Sequence, residues 1–363
     1  MTGPVLPPDR FALTRPLVDW LAQDPAWPRL PMGLRAFFRI QGALGSLNAR
    51  FAGLSVPPVE SRPPAPDARL LIVGPWRSGT TALHELLVEA GEWVTPRTWQ
   101  CMGAPTLGLL RQPRDATRVR PMDDRTVGAN SPQEDEFAML SLGASSAYRG
   151  FLMPHRLPEL HATLQQATWL DDDAWFETWE RLLGAIVATA SEPKDRPLLL
   201  KSPNHSFRLE AMLARYPASR FVWVARDPAD LLASNLKMWR AMSARYALTA
   251  VDDERLQAFL AEVLRASART LARCIDTVSP DRLTIVTQAE LLHDPVAVVT
   301  QLAQWLADDA RFTLSPSRIR APQGGPKQQV STLPMVSHDC MDAIDDLARA
   351  QKAACEFFAT ASA

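Results

Sequence analysis

Residues 74–81, Gly-Pro-Trp-Arg-Ser-Gly-Thr-Thr, constrain this chain more than any other stretch. They follow a short apolar run, residues 70–73, which reads as a buried strand. They precede Leu83, Leu86 and Leu87 at helical spacing, closed by Gly91. Strand, glycine loop, helix is the setting in which backbone N–H groups and a helix N-terminus cradle an anion. A nucleoside-triphosphate loop has two glycines separated by four residues, then Lys, then Ser or Thr. Here Gly74, Gly79 and Thr81 are in place, but Thr80 stands where the lysine should be. The cation that reaches the β- and γ-phosphates is missing, while Arg77 adds a planar cation inside the loop. The expected ligand is a nucleotide with a 5′-anion, not ATP or GTP used as a phosphoryl donor.

At 363 residues the chain can hold one large α/β domain plus attachments, or two small domains. A formal net charge of −1 gives no global attraction to nucleic acid. Cys101, Cys274, Cys340 and Cys355 have no metal-like spacing and fit reduced packing thiols, which points to the cytoplasm. The start of the chain lacks the basic and apolar regions of a secretory signal. No uncharged apolar run reaches the ~18 residues of a membrane span. Residues 34–54 combine Phe37, Phe38, Ile40, Leu44 and Leu47 with Arg35, Arg39 and Arg50 and no acid. Such a stretch is either a helix packed on the domain or a contact with a membrane surface.

The prolines at 57, 58, 63, 64 and 66 mark residues 57–67 as a linker. The expected organisation is an N-terminal helical arm (1–56), this linker, and an α/β domain (68–363). Within the domain, residues 101–131 read as irregular. Ser131-Pro132-Gln133-Glu134 has the spacing of a capping box before Phe137, Met139 and Leu140. Asp171, Asp172 and Asp173 read as the N-terminal charges of a helix carrying Trp175, Phe176, Trp179 and Leu182. Residues 198–200 predict a second buried strand, followed by a helix over 206–216. Residues 221–225 predict a third strand, after which Asp227 caps and Pro228 opens a helix. A long helix over 252–278, a strand over 284–287, a helix to 307 and a final helix from about 340 complete the pattern. Strands alternating with helices predict a parallel sheet with both faces covered.

Ligands of such sheets bind outside the carboxyl ends of the strands. The first strand end supplies Arg77, Ser78, Gly79, Thr80 and Thr81. The second supplies Lys201 and His205. The third supplies Arg226, with Ser234 two turns into the helix that follows. Arg226 and Ser234 are placed to grip one phosphate together, which predicts a ligand with two separated anions.

The loop Arg77-Ser78-Gly79-Thr80-Thr81, with Lys201, Arg226, Pro228 and Ser234 in that order, resembles the sulfotransferases that use 3′-phosphoadenosine-5′-phosphosulfate. The likeness runs from about residue 70 to 306 and is greatest to the bacterial and tyrosylprotein-type branch. It implies an α/β fold, a P-loop-like parallel sheet flanked by helices, with the helical arm and a C-terminal helix attached. It implies that the loop holds the 5′-phosphosulfate, that Arg226 and Ser234 hold the 3′-phosphate, and that Lys201 binds the transferring sulfuryl group. The acceptor is then the hydroxyl or amine of a small or lipophilic molecule, and no metal ion is required. Lys327, in a late Gly/Pro loop, either closes over the 3′-phosphate or is a solvated lysine.

An acceptor that loses a proton needs a general base. His205 follows Lys201 by four residues at the same sheet edge. Glu134 lies in a Pro-x-Glu-Asp pattern similar to one in bacterial relatives, or is merely the acid of the capping box. Tyrosylprotein-type members place a catalytic Glu after the first helix, but residues 95–100 here read Thr-Pro-Arg-Thr-Trp-Gln. His205 and Glu134 therefore remain the two candidates. A kinase-like phosphotransferase and a non-catalytic nucleotide-binding protein are the competing readings. The first is disfavoured by the missing loop lysine and the lack of a clear strand-end Asp for Mg²⁺. The second would tolerate the loss of Lys201 and His205.

Overall fold

The computed structural model describes residues 12–54, 67–107, 117–119, 126–166, 173–319 and 336–361. The strands are β1 (Arg69–Val73), β2 (Thr117–Val119), β3 (Thr126–Gly128), β4 (Leu198–Lys201), β5 (Arg220–Ala225) and β6 (Leu283–Thr287). Four of them form a parallel sheet in the order β4-β1-β5-β6. Ile72 lies beside Lys201, Val73 beside Trp223, and Ala225 beside Thr287. The chain leaves β1 toward β4 on one side and β5 toward β6 on the other. The order therefore reverses between β1 and β5, and the crevice at their carboxyl ends is where such sheets bind ligands. β2 and β3 pair as a small antiparallel ribbon.

The strands are apolar at successive positions because both faces are covered. Leu70, Ile72, Val222 and Val224 face Leu83, Leu87 and Val299. Leu71, Val73, Phe221 and Trp223 face the opposite way, into a core with Trp179, Trp239 and Phe259. Helix Asp173–Thr189 buries Trp175, Phe176, Trp179 and Leu182, the stripe read from the sequence. Arg69 at the start of β1 is tied to its Glu180 through two hydrogen bonds of 2.6 and 3.0 Å. Helix Pro228–Tyr246 opens as expected, with the Asp227 carboxylate accepting from the N–H groups of Ala229 and Asp230, both at 3.0 Å. Such a cap is worth about 1 kcal/mol.

The arm folds as helices Arg15–Ala22 and Met32–Phe51. Their Leu17, Val18, Leu21 and Phe38 belong to the same core as Leu71 and Trp223. Backbone bonds from Ala12 N–H to the Met102 carbonyl and from Thr14 N–H to the Ser141 carbonyl, both 3.2 Å, fasten the arm to the domain. No helix among the described residues is long and apolar enough to cross a membrane.

Three local expectations need correction. Ser131 does not cap the next helix. Its hydroxyl accepts from the Gly128 N–H at 2.9 Å, and helix Asp135–Leu142 starts with Glu134 as its N-cap residue. The helix expected over 206–216 is a 3₁₀ segment, Pro203–Arg208, followed by helix Leu209–Arg215, because Pro203 opens the turn three residues earlier. The segment read as irregular, 101–131, takes in the end of helix Thr98–Met102, a 3₁₀ turn over Ala104–Thr106 and the β2–β3 ribbon. Asp171, Asp172 and Lys327 lie outside the described residues.

Candidate active site

The loop between β1 and helix Thr80–Ala90 turns on three residues of positive φ, of which Gly74 has φ +133°. Gly79 has φ +108°, a conformation in which a side chain would be strained. Arg77 adopts φ +71° despite its Cβ, a strained choice for a long side chain. Two neighbours hold the loop in this shape. The Ser206 hydroxyl accepts from the Gly74 N–H at 2.7 Å, and the Asn235 amide donates to the Trp76 carbonyl at 2.7 Å. Among the described residues, no side chain caps the N-terminus of helix Thr80–Ala90 and the Ser78 hydroxyl, buried inside the loop, has no hydrogen-bond partner.

Arg77 joins the loop to the β5 edge. Its carbonyl accepts from Arg226 Nη1 at 2.9 Å, and its Nε donates to the Ser234 hydroxyl at 3.2 Å. The first and third strand ends thus meet at one residue. Burial lowers the pKa of the Arg226 guanidinium; Asp230 opposes that shift and the charge of Arg77 adds to it. A cation held against a like charge in this way gains from an incoming anion.

At the β4 edge, three consecutive acids meet Lys201, His205 and Arg208. Glu134 Oε1 accepts from Lys201 Nζ at 2.6 Å. Asp135 Oδ2 lies 2.9 Å from His205 Nε2, and Glu136 Oε2 accepts from Arg208 Nη1 at 3.1 Å. The match works because Lys201 ends β4 while His205 and Arg208 sit on successive turns of the 3₁₀ segment. They differ in access. Side-chain exposure is 11% for Glu134 and 3% for Lys201, whereas His205, Asp135, Arg208 and Glu136 are at 0%. The Trp175 and Trp179 rings lie edge-on to His205 at 5.9 and 5.6 Å. Burial opposes ionisation of Asp135. The charge and hydrogen bond of His205, with the Trp179 indole N–H, outweigh it and hold the carboxyl below its usual range.

The Lys201 ammonium also reaches the Thr81 hydroxyl, 3.4 Å away in the first turn of the loop's helix. The second Glu134 oxygen accepts from the Tyr148 hydroxyl at 2.5 Å. Burial, then the Glu134 charge, push the Tyr148 phenol well above its ordinary pKa, so it stays a donor. Tyr148, Asp135, Ser206 and Asn235 were not singled out in the sequence. The recurrence of Lys201, His205 and Arg208 opposite Glu134-Asp135-Glu136 was the one available signal for Asp135. Trp239 is fully buried against Trp76, Phe151 and Phe259.

The family model described as the sulfotransferase family matches residues 69–309. Two curated relatives share 28% identity over 252 residues, 66% of this chain. Each is an omega-hydroxy-beta-dihydromenaquinone-9 sulfotransferase Stf3, from Mycobacterium bovis and Mycobacterium tuberculosis, and the alignment spans 63% of its length. Sulfotransferase STF9 from Mycobacterium avium superposes with a TM-score of 0.55 at 19% identity, covering 97% of this chain and 96% of the other. Sulfotransferase STF1 from Mycobacterium tuberculosis H37Rv gives 0.53 at 16% identity, covering 95% and 90%. These superpositions establish the likeness of fold, parallel sheet and flanking helices included. The matched region contains the Gly74–Thr81 loop, Glu134, Lys201, Arg226 and Ser234 together, and the chain belongs to the sulfotransferase family.

Proposed function

We propose that this protein transfers a sulfuryl group from 3′-phosphoadenosine-5′-phosphosulfate to a hydroxyl of a small apolar acceptor. The residues present suit that donor. The partnerless Ser78 hydroxyl, the Thr80 and Thr81 hydroxyls and the uncapped helix N-terminus hold the phosphosulfate end. Arg226 and Ser234 hold the 3′-phosphate. The relatives that act on a hydroxylated menaquinone derivative, each matched over part of its length, support an apolar acceptor. The four free thiols suit the cytoplasm as the place of action.

In the reaction the acceptor oxygen bonds to sulfur as the bond from sulfur to the 5′-phosphate oxygen breaks, which leaves adenosine 3′,5′-bisphosphate. Glu134 takes the acceptor proton. Lys201, Arg77 and the loop N–H groups stabilise charge gathering on the sulfuryl and bridging oxygens. Lys201 leaves Glu134 for those oxygens when the donor is bound, so the carboxylate is released as a base only when it has work to do. Tyr148 keeps the carboxylate aimed by its second oxygen. His205 has no exposed atom and is spent on Asp135, so it is a positioning residue that fixes the start of helix Asp135–Leu142.

The observation that carries this reading is that Lys201 Nζ lies 2.6 Å from Glu134 and 3.4 Å from Thr81. One cation links the carboxylate to the loop. Thermal-shift titration with adenosine 3′,5′-bisphosphate against ATP plus Mg²⁺ tests it. A ligand at a hundred times its Kd adds about 2.7 kcal/mol of stability. The bisphosphate is expected to stabilise the protein and ATP to do so far less; the reverse order would overturn the reading.

A further inference from the structure

Six of the large apolar side chains most exposed among the described residues lie on one helix, Met32–Phe51. Phe37, Ile40, Leu44, Leu47 and Phe51 recur every three or four residues and are 40–70% exposed, so they form one stripe. The opposite side, Leu34, Phe38, Gly42, Gly45 and Ala49, is buried. Its seating is fixed by close approach: a Cβ on Gly45 would stand 1.8 Å from the Leu13 carbonyl oxygen. The helix therefore cannot roll to hide its stripe.

Charge chooses the occupant. The chain has 40 acidic residues in 363, yet none falls between Asp24 and Glu60. Arg29, Arg35, Arg39 and Arg50 lie in that interval, and Arg39 and Arg50 are exposed on the stripe-bearing helix. An apolar stripe flanked by arginine alone is the pattern of a helix lying in the surface of an anionic bilayer. A second copy is a poorer partner. The stripe is about two heptads long, short of the three or four that sustain a coiled coil. Pairing it with itself would also bring arginines together with no acid on either helix.

We propose that helix Met32–Phe51 docks this protein on the surface of a bilayer containing anionic lipid. The apolar stripe enters the acyl boundary and Arg39 and Arg50 meet the headgroups. The arm is bonded to helices Thr98–Met102 and Asp135–Leu142, the latter beginning beside Glu134, so docking holds the candidate site at a fixed distance from lipid. The inference stands without the reaction proposed above.

Flotation of the full chain with vesicles of phosphatidylcholine plus phosphatidylglycerol, and with phosphatidylcholine alone, tests it. The wild type is expected to float with the anionic vesicles and to be released by salt. The triple variant Ile40→Glu/Leu44→Glu/Leu47→Glu is expected to lose at least about tenfold in binding, with an unchanged melting temperature because the positions face outward. Arg39→Gln/Arg50→Gln is expected to lose the preference for anionic vesicles. A wild type that stays with the soluble fraction would overturn the proposal. So would a triple variant that binds equally, one that melts much lower because the chain's own residues cover the stripe, or a wild-type dimer that the variant turns into a monomer.

Discussion

Lys201 Nζ donates to Glu134 Oε1 at 2.6 Å across a gap of 67 residues, and both side chains are almost wholly enclosed. A carboxylate this close to its cation is held ready and held back at once. Its conjugate charge is neutralised until something else occupies the ammonium. Replacing Glu134 with Gln keeps the size and the bond from Tyr148 but removes the ability to take a proton. Turnover is expected to fall by roughly 10²–10⁴-fold. The thermal shift with adenosine 3′,5′-bisphosphate should be retained. A Glu134→Gln variant within about tenfold of wild-type kcat would exclude Glu134 as the base.

Lys201→Met should behave differently. It removes a donor aimed at developing charge, a loss of about 10²–10³ in kcat. It also strips Glu134 of its cation. Because the two residues share one contact, the double variant is expected to cost far less than the product of the single losses. Independent, multiplicative losses measured in steady-state assays would show that the pair does not act as a unit.

Arg77 links the two ends of the anion site through Ser234 and Arg226. Arg226→Ala removes a charged grip on the 3′-phosphate, a change of about 1.5–3 kcal/mol, or roughly tenfold to a hundredfold in affinity for adenosine 3′,5′-bisphosphate. Adenosine 5′-phosphosulfate lacks that phosphate, so its binding should hardly change. Calorimetric titration of both ligands reads the difference, and an equal loss for both would place Arg226 at the other end of the nucleotide.

The sheet and its loop were legible because their signals are local. A short apolar run, a glycine loop and a leucine stripe need no distant partner to be recognised, and Thr80–Ala90 appears where those residues put it. Asp227 is a cap in sequence and in structure for the same reason. Ser131 shows the limit. Its spacing to Glu134 fits a capping box, but Thr98 N–H bonds to its carbonyl at 2.9 Å and its hydroxyl turns back to Gly128. That displacement leaves the Glu134 carboxylate to meet Lys201. The pairings of Asp135 with His205 and Glu136 with Arg208 depend on how β4 lies beside helix Asp135–Leu142. No periodicity encodes that placement. The arm's packing on the domain was one of the two readings its own residues offered, and Leu34, Phe38 and Ala49 are buried in the shared core.

His84 is predicted to make the fold acid-sensitive. It is buried in helix Thr80–Ala90, with Nε2 2.8 Å from the Thr95 hydroxyl. Burial, then the charges of Lys201 and Arg97, push its pKa well below the ordinary 6.5. The unfolded chain takes up a proton near that ordinary value while the folded protein does not. Stability is therefore full above it and declines as pH falls below it, by up to about 1.4 kcal/mol per pH unit. Asp135 is lowered too, but its contribution is lost only below its ordinary 3.8. Melting temperatures measured between about pH 7 and 5 should fall for the wild type and fall less for His84→Gln. Parallel curves for the two proteins would refute the assignment.

His205 and Asp135 give the sharpest separation of the two candidate bases. Both side chains are at 0% exposure, joined at 2.9 Å, and Trp179 adds a second bond to the same Asp135 oxygen at 2.6 Å. Removing one partner of a buried hydrogen bond leaves the other unsatisfied, a cost of about 1–3 kcal/mol. His205→Ala and Asp135→Ala should therefore each lower the melting temperature, and the double variant by less than their sum. His205→Gln can still donate to Asp135, so it is expected to recover much of that stability. A positioning residue restored in this way should restore turnover with it, and kcat at a temperature well below melting should follow the stability. A base could not be restored, because an amide does not take up a proton at working pH. His205→Gln with a near-native melting temperature and turnover lowered by 10²-fold or more would return the catalytic role to His205 and remove it from Glu134.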